Sequence, residues 1–321
     1  MPNVESHAPG NFCWVELGTT DQAAAKKFYQ SLFGWDSTDQ PTGPDETYTM
    51  FKKGGQDVAA GYRLRPDQKG VPPNWQVYVS VASADDAVAK AKDLGAKVLA
   101  PPFDVFDAGR MAVLQDPTGA VFAVWEAKRN KGLGVIDEPG AFCWAELMAK
   151  DLPRSTTFYK SLFGWDTTVD PRYTEWTLGG RSIGGMMAIQ KEWGDVPPHW
   201  LVYFQVDDCD KSVEMAKSLG AKVTMGPQDF PGVGRLALLK RPAGRCLLRD
   251  QAERPRTLSD DRGSASRRRG KIFRTPPSRV QSRPFTCKRD SGGSDDQEAP
   301  GSPRKAWRAL LPEACQSFTI S

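Results

Sequence analysis

Histidine is almost missing from this chain. His7 and His199 are the two in 321 residues, and a centre of two imidazoles and a carboxylate would need both. No run of 18 apolar residues occurs, so the sequence predicts no membrane span. The first ten residues lack the basic-then-apolar start of a secretory leader. The six cysteines show no C-x-x-C and no metal spacing. A reduced, cytoplasmic setting without a membrane partner is the expectation.

The formal charge of +4 is also less than it suggests. Residues 249–321 carry 16 Lys and Arg against 9 Asp and Glu, which leaves 27 against 30 in residues 1–248. The main body is therefore mildly acidic and has no basic stripe for nucleic acid. The stretch 249–321 is rich in Arg, Ser, Pro and Gly and poor in aliphatic residues, so it is expected to be a disordered basic tail. Arg267, Arg268, Arg269 and Lys271 form the one basic cluster that could touch an anionic partner.

What is present is a duplication. Phe12-Cys13-Trp14-Val15-Glu16-Leu17, Asp21 and Phe28-Tyr29-Gln30-Ser31-Leu32-Phe33-Gly34-Trp35-Asp36 return as Phe142-Cys143-Trp144-Ala145-Glu146-Leu147, Asp151 and Phe158-Tyr159-Lys160-Ser161-Leu162-Phe163-Gly164-Trp165-Asp166. Val71-Pro72-Pro73-Asn74-Trp75, Leu94-Gly95-Ala96-Lys97-Val98 and Gly109-Arg110 return 125 residues later. A unit of this length is a duplicated domain, since solenoid repeats run to about 20–50 residues. The local pattern predicts a strand at Phe12–Leu17, with Trp14, Glu16 and Phe12 on one face and Cys13, Val15 and Leu17 on the other. A helix over 21–33 follows, capped by Asp21 or Thr20, stopped by Gly34, and striped by Phe28, Leu32 and Phe33. A second strand and helix follow at 75–81 and 84–94, so each copy reads as two βαβββ units.

These residues, with FYxxLFGW, the LGA turn and Asp116-Pro117-Thr118-Gly119, resemble the glyoxalase, bleomycin-resistance and extradiol-dioxygenase superfamily, also called vicinal oxygen chelate. The tandem, glyoxalase-like members are most similar, over about residues 10–245. The resemblance implies an α+β chain of two tandem vicinal-oxygen-chelate domains, each with paired βαβββ units and a curled mixed β-sheet around a pocket. The expected division is an extension at 1–10, domain one at 11–128, a linker at 129–140, domain two at 141–248 with a degraded last strand, and the tail at 249–321. Internal pairing of the two domains would mimic a homodimer.

The resemblance also implies metal ligands on inward-facing strands. Counted from shared landmarks, those positions are Trp14, Gln76 and Ala123 in copy one and Trp144, Leu201 and Leu248 in copy two. None is a histidine or a carboxylate. No cofactor is therefore expected, and a divalent metal would need residues outside this mapping. The pocket instead carries Trp14, Glu16, Gln76, Tyr78 and Ser80, repeated as Trp144, Glu146, Leu201, Tyr203 and Gln205. Trp14, Gln76, Tyr78, Trp144 and Tyr203 are the candidate substrate-binding residues. Glu16 and Glu146 are the candidate catalytic residues, as general bases of raised pKa, or else carboxylates satisfied by neighbouring donors. Cys13 and Cys143 read as buried thiols. Arg110 and Arg235 read as hairpin residues or anion contacts, and His199 as a loop residue. Gly54-Gly55 and Gly179-Gly180 read as turns.

Three functions follow from these residues. The first is metal-poor binding of a small aromatic or electrophilic molecule. The second is a lyase, isomerase or hydroxylase of the same superfamily acting through an inward Glu or through a metal held by residues outside this mapping. The third is a non-catalytic interaction module.

Copy two departs from copy one after Lys240, where Arg241-Pro242-Ala243-Gly244-Arg245-Cys246-Leu247-Leu248-Arg249 replaces the DPTGAVFAV of 116–124. Read one base out of frame, the permitted codons decode as Asp-Pro-Gln-Gly-Ala-Val-Phe-Cys-Val. A frame change just after Lys240 would account for the mismatch and for the tail, and the coding DNA decides it.

Overall fold

The computed structural model describes residues 4–250, apart from 45, 69, 171–172, 231–232 and 242–243. The tail and its basic cluster lie outside the described residues.

Strand β1 (Phe12–Thr19) leads into α1 (Gln22–Phe33). The Asp21 carboxylate accepts the Ala24 N–H at 3.0 Å, satisfying one of the donors orphaned in a first turn. Gly34 ends the helix at φ 67°, its N–H bonded to the Gln30 carbonyl. Ala25, Phe28 and Tyr29 are the buried face, so Tyr29 joins the predicted stripe, while Leu32 and Phe33 are only partly buried. Four strands and a helix follow: β2 (Asp36–Gly43), β3 (Glu46–Lys53), β4 (Gln56–Arg63), β5 (Asn74–Ser80) and α2 (Ala84–Asp93). Strands β6 (Lys97–Val105), β7 (Gly109–Gln115) and β8 (Val121–Ala127) close the first domain.

The second domain repeats this series as β9 (Phe142–Ala149), α3 (Leu152–Phe163), β10 (Asp166–Asp170), β11 (Tyr173–Leu178), β12 (Arg181–Ala188), β13 (His199–Val206), α4 (Cys209–Ser218), β14 (Lys222–Phe230), β15 (Gly234–Arg241) and β16 (Gly244–Asp250). The two eight-stranded sheets have equivalent orders, β2-β3-β4-β1-β5-β8-β7-β6 and β10-β11-β12-β9-β13-β16-β15-β14. Each is mixed: β1 runs parallel to β4 and antiparallel to β5, which runs parallel to β8.

A β-bulge interrupts the alternation expected for β1. Phe12 lies opposite Val79 but Trp14 lies opposite Tyr78. Because neighbours on a strand face opposite ways, Phe12 and Trp14 point to different faces. The bulge recurs in β9, where Phe142 opposes Phe204 and Trp144 opposes Tyr203. The bulge sends Phe12 away from the pocket and into the second domain. Its ring centroid lies 5.3 Å from Trp165 and 5.4 Å from Trp200. Cys13, at the bulge, is buried with its Sγ donating to the Tyr78 carbonyl at 3.6 Å. Cys143 is only partly buried, against the Tyr203, Phe230 and Leu236 cluster. Cys13 is thus the buried thiol expected, in one core cluster with Val15 and Leu17, whereas Cys143 is less buried than expected.

The domains share one apolar core. The Trp35 indole donates to the Gly140 carbonyl at 2.6 Å, and the Trp165 indole to the Gly10 carbonyl at 2.7 Å. Gly10 and Gly140 both have positive φ, 88° and 76°, a conformation glycine adopts without steric cost. The linker is tied down: the Leu133 N–H reaches the Cys13 carbonyl at 2.8 Å and the Gly134 N–H reaches the Asp57 carbonyl at 2.7 Å.

The sequence mismatch after Lys240 does not abolish the last strand, because β16 pairs with both β15 and β13. It does shift it. Tyr78 opposes Ala123 in the first sheet, whereas Tyr203 opposes Leu247 in the second. The position equivalent to Ala123 is therefore Leu247, and Leu248 lies in the main core. Between the equivalent pairs Gln115↔Val121 and Lys240↔Arg245 the second copy has one residue fewer, and that moves the register by one.

Candidate functional site

Strands β1, β3 and β5 bring Trp14, Glu16, Tyr48 and Tyr78 together. Strand alternation alone places Glu16 and Tyr78 in the pocket, and the structure adds Tyr48 from β3. The Tyr48 hydroxyl donates to Glu16 Oε2 at 2.6 Å, and the Tyr78 hydroxyl donates to Glu16 Oε1 at 3.1 Å. The Trp14 indole in turn donates to the Tyr48 oxygen at 3.2 Å. Both carboxylate oxygens of Glu16 are thus engaged, as a partly buried carboxylate favours.

The same network recurs around Glu146. The Tyr203 hydroxyl donates to Glu146 Oε2 at 2.7 Å, and the Trp144 indole donates to the Tyr173 oxygen at 2.9 Å. Tyr48 and Tyr173 lie 125 residues apart, the offset of the other repeats, and that spacing was the signal available for finding them.

Electrostatics follow from burial. Burial pushes the Glu16 carboxyl above its usual range, and the bonds from Tyr48 and Tyr78 act against that. Glu146 behaves alike, with Tyr203 and Tyr173 opposing. The hydroxyls of Tyr48 and Tyr78 are pushed well up by burial, and the adjacent Glu16 charge adds to it. They remain protonated donors at neutral pH.

The two pockets differ in what fills them. Around Glu16, Met50, Tyr62, Gln76, Phe103, Met111 and Trp125 line a cleft that is open to solvent, and Glu16 itself is half-buried. Gln76 turns its amide to the Val121 and Val77 carbonyls at 3.3 and 3.2 Å. Ser80 does not face this cleft, since its hydroxyl donates to the His7 carbonyl at 3.0 Å. Around Glu146, Tyr203, Phe230 and Leu236 pack with Trp144, Leu201, Met225, Val233 and Leu238. Glu146 is 5% exposed, so the second pocket is largely occupied by its own side chains.

Other sequence candidates fall elsewhere. Arg110 forks onto Asp85 at 2.7 and 3.0 Å, and Arg235 forks onto Asp210 at 2.5 and 3.0 Å. Both guanidiniums are held by the chain's own carboxylates at the starts of α2 and α4, which argues against the anion-contact alternative. His7 bonds the Leu133 carbonyl at 2.9 Å and His199 bonds the Pro197 carbonyl at 2.8 Å. Among the described residues no group of three or more His, Cys, Asp or Glu is placed to hold a metal ion.

Two sheets, each curled over a pocket and joined by a shared core, define a duplicated α+β pocket protein. Residues 12–124 and 141–245 both match the Glyoxalase/Bleomycin resistance protein/Dioxygenase superfamily, and the chain belongs to it. CFP32 of Mycobacterium tuberculosis, provisionally named a glyoxylase, is 38% identical over 251 residues, 76% of this chain and 95% of that protein. DnrV of Streptomyces peucetius, an anthracycline biosynthesis protein, is 37% identical over 256 residues, 74% of this chain and 91% of that protein. The Mn(II)-bound glyoxalase from Novosphingobium aromaticivorans shares the fold with a TM-score of 0.55, at 16% identity, over 75% of this chain and 82% of that one.

A divalent metal does not fit the residues found here. The positions the family resemblance assigns to ligands hold an indole (Trp14), an amide (Gln76) and a methyl (Ala123) in the first sheet, and in the second Trp144, Leu201 and, by register, Leu247. Oxygen or imidazole donors in tetrahedral or octahedral array are not available from that set.

No helix among the described residues is long and apolar enough to cross a membrane.

Proposed function

We propose that this chain binds a small aromatic or electrophilic molecule in the cleft of its first sheet. One observation carries the reading: Glu16 is partly exposed in an open cleft lined by Trp14, Tyr48 and Tyr78, while its equivalent Glu146 is buried. Clefts with apolar walls and a few convergent polar groups suit small ligands. Trp14 and Trp125 offer flat faces, and Tyr78 and Glu16 orient a polar edge. That one relative is named an anthracycline biosynthesis protein supports an aromatic ligand. A cytoplasmic setting suits the free thiols Cys13, Cys143 and Cys209, and the internal domain pair stands in for a homodimer.

A second reading, a lyase, isomerase or hydroxylase, is favoured by the inward Glu16 carboxyl, which burial raises above its ordinary value, the direction that makes a carboxylate a stronger base. Fluorescence titration of the full chain with 1,4-naphthoquinone tests binding, through quenching of Trp14 and Trp125. Quenching that saturates, and that Trp14→Phe reduces, supports the binding reading, and no saturable quenching overturns it. Mass spectrometry of the recovered compound decides between the two, because a converted product lost in Glu16→Gln makes the chain an enzyme.

A further inference from the structure

Arg249 occupies in the second sheet the place of Trp125 in the first. Leu236 pairs with Arg249 as Met111 pairs with Trp125. The Arg249 guanidinium lies 5.7 Å from the Trp144 ring centroid, within cation–π range. Its Nε–H donates to the Val233 carbonyl at 3.0 Å. Its positive charge also acts on Tyr173 and Tyr203, the two hydroxyls that flank Glu146. In domain two, therefore, a planar cation supplied by the chain itself lies over the Trp144 face, anchored by its bond to the Val233 carbonyl.

Domain one repeats the network around Glu16 but supplies an indole, Trp125, where domain two supplies the guanidinium. Of the basic side chains lining the cleft, Arg63, Arg65, Arg129 and Lys131 are exposed and Lys240 is half-buried, and Arg129 is paired with Asp107 at 2.9 Å. The floor of the cleft thus presents a carboxylate ringed by aromatic faces, an arrangement that stabilises a delocalised cation by charge and by ring quadrupole together.

We propose that the cleft around Glu16 selects ligands that carry a planar cationic nitrogen group, an amidinium or guanidinium, on an aromatic frame. The ring lies against Trp14 and Trp125, and the charge points to Glu16. This specificity rests on the reading of the first cleft as the small-molecule site, and it adds the charge class of the ligand.

Three probes share one ring system and differ only in charge: 2-naphthamidine is a cation, 2-naphthamide is neutral and 2-naphthoate is an anion. Calorimetric titration of the full chain is expected to rank them in that order, with the amidine tighter than the amide by about tenfold. In Glu16→Gln, with circular dichroism confirming the fold, the ratio of amidine to amide affinity should fall to near unity. Amide binding as tight as amidine in the natural chain overturns the charge selectivity and leaves the small-molecule site standing. That comparison needs no variant, so it holds even if Glu16→Gln fails to fold. A Glu16→Gln protein that keeps the full amidine preference also overturns the proposal. Binding of none of the three overturns both the proposal and the reading it rests on.

Discussion

The Tyr159 hydroxyl donates to Asp116 Oδ2 at 2.9 Å across the domain interface. The other oxygen of Asp116 holds the turn that follows it, accepting from the N–H groups of Thr118, Gly119 and Ala120 at 2.7, 2.8 and 3.1 Å. One carboxylate thus fixes a turn in domain one and the seat of α3 in domain two. Its sequence equivalent in the second copy is Arg241.

Asp116→Ala should lower stability by about 1–3 kcal/mol or more, because a buried hydroxyl and several turn N–H groups lose their acceptor. Tyr159→Phe should cost less, since it leaves the turn intact. A double-mutant cycle read by urea unfolding is expected to give a coupling above about 0.5 kcal/mol for this contacting pair. Strict additivity would mean that the contact contributes nothing across the interface.

The Glu16 carboxyl gives a pH signature. Burial raises its folded value above the ordinary 4.5. Such a group binds its proton more tightly in the fold than in the unfolded chain. Its contribution to stability is complete below the ordinary value and is lost as pH rises through the raised one. Glu16→Gln should remove this part of the pH dependence, so its unfolding midpoint should fall less than that of the natural chain between acid and neutral pH. Parallel curves for the two proteins would contradict the assignment.

Gly109 sets the wall of the first cleft. A Cβ there would collide with the Trp125 ring and lie 2.7 Å from the Glu126 carbonyl oxygen. Gly109→Ala should therefore displace Trp125, cost about 1–3 kcal/mol as overpacking does, and weaken naphthoquinone quenching. Unchanged emission and affinity would show that Trp125 is not part of the wall.

The thiols should be inert. Burial pushes the Cys13 thiol far above its usual value and the Cys209 thiol up to about 12. The thiolate is the reactive form, so native protein treated with iodoacetamide at pH 8 should leave Cys13 and Cys209 unlabelled on peptide mapping. Rapid labelling of Cys13 would show that the bulge opens readily.

The sequence by itself determined whatever depends on nearest neighbours and on the repeat. The Asp21 and Asp151 caps, the Gly34 and Gly164 stops, the duplication and the pocket positions of Trp14, Glu16 and Tyr78 are local or periodic, and periodicity is written in the chain. The tertiary structure decided what depends on pairing between distant segments. The bulge at Cys13 is invisible to a rule of strict alternation, because it arises from the register of β1 against β5, and it turned Phe12 from the pocket into the interface. The bond from Tyr48 to Glu16 joins strands 32 residues apart. The one-residue register shift of β16 placed Arg249 over Trp144. Composition and spacing identify which side chains exist, while register decides which of them meet, and register is set by the partner strand and the length of the connecting turn.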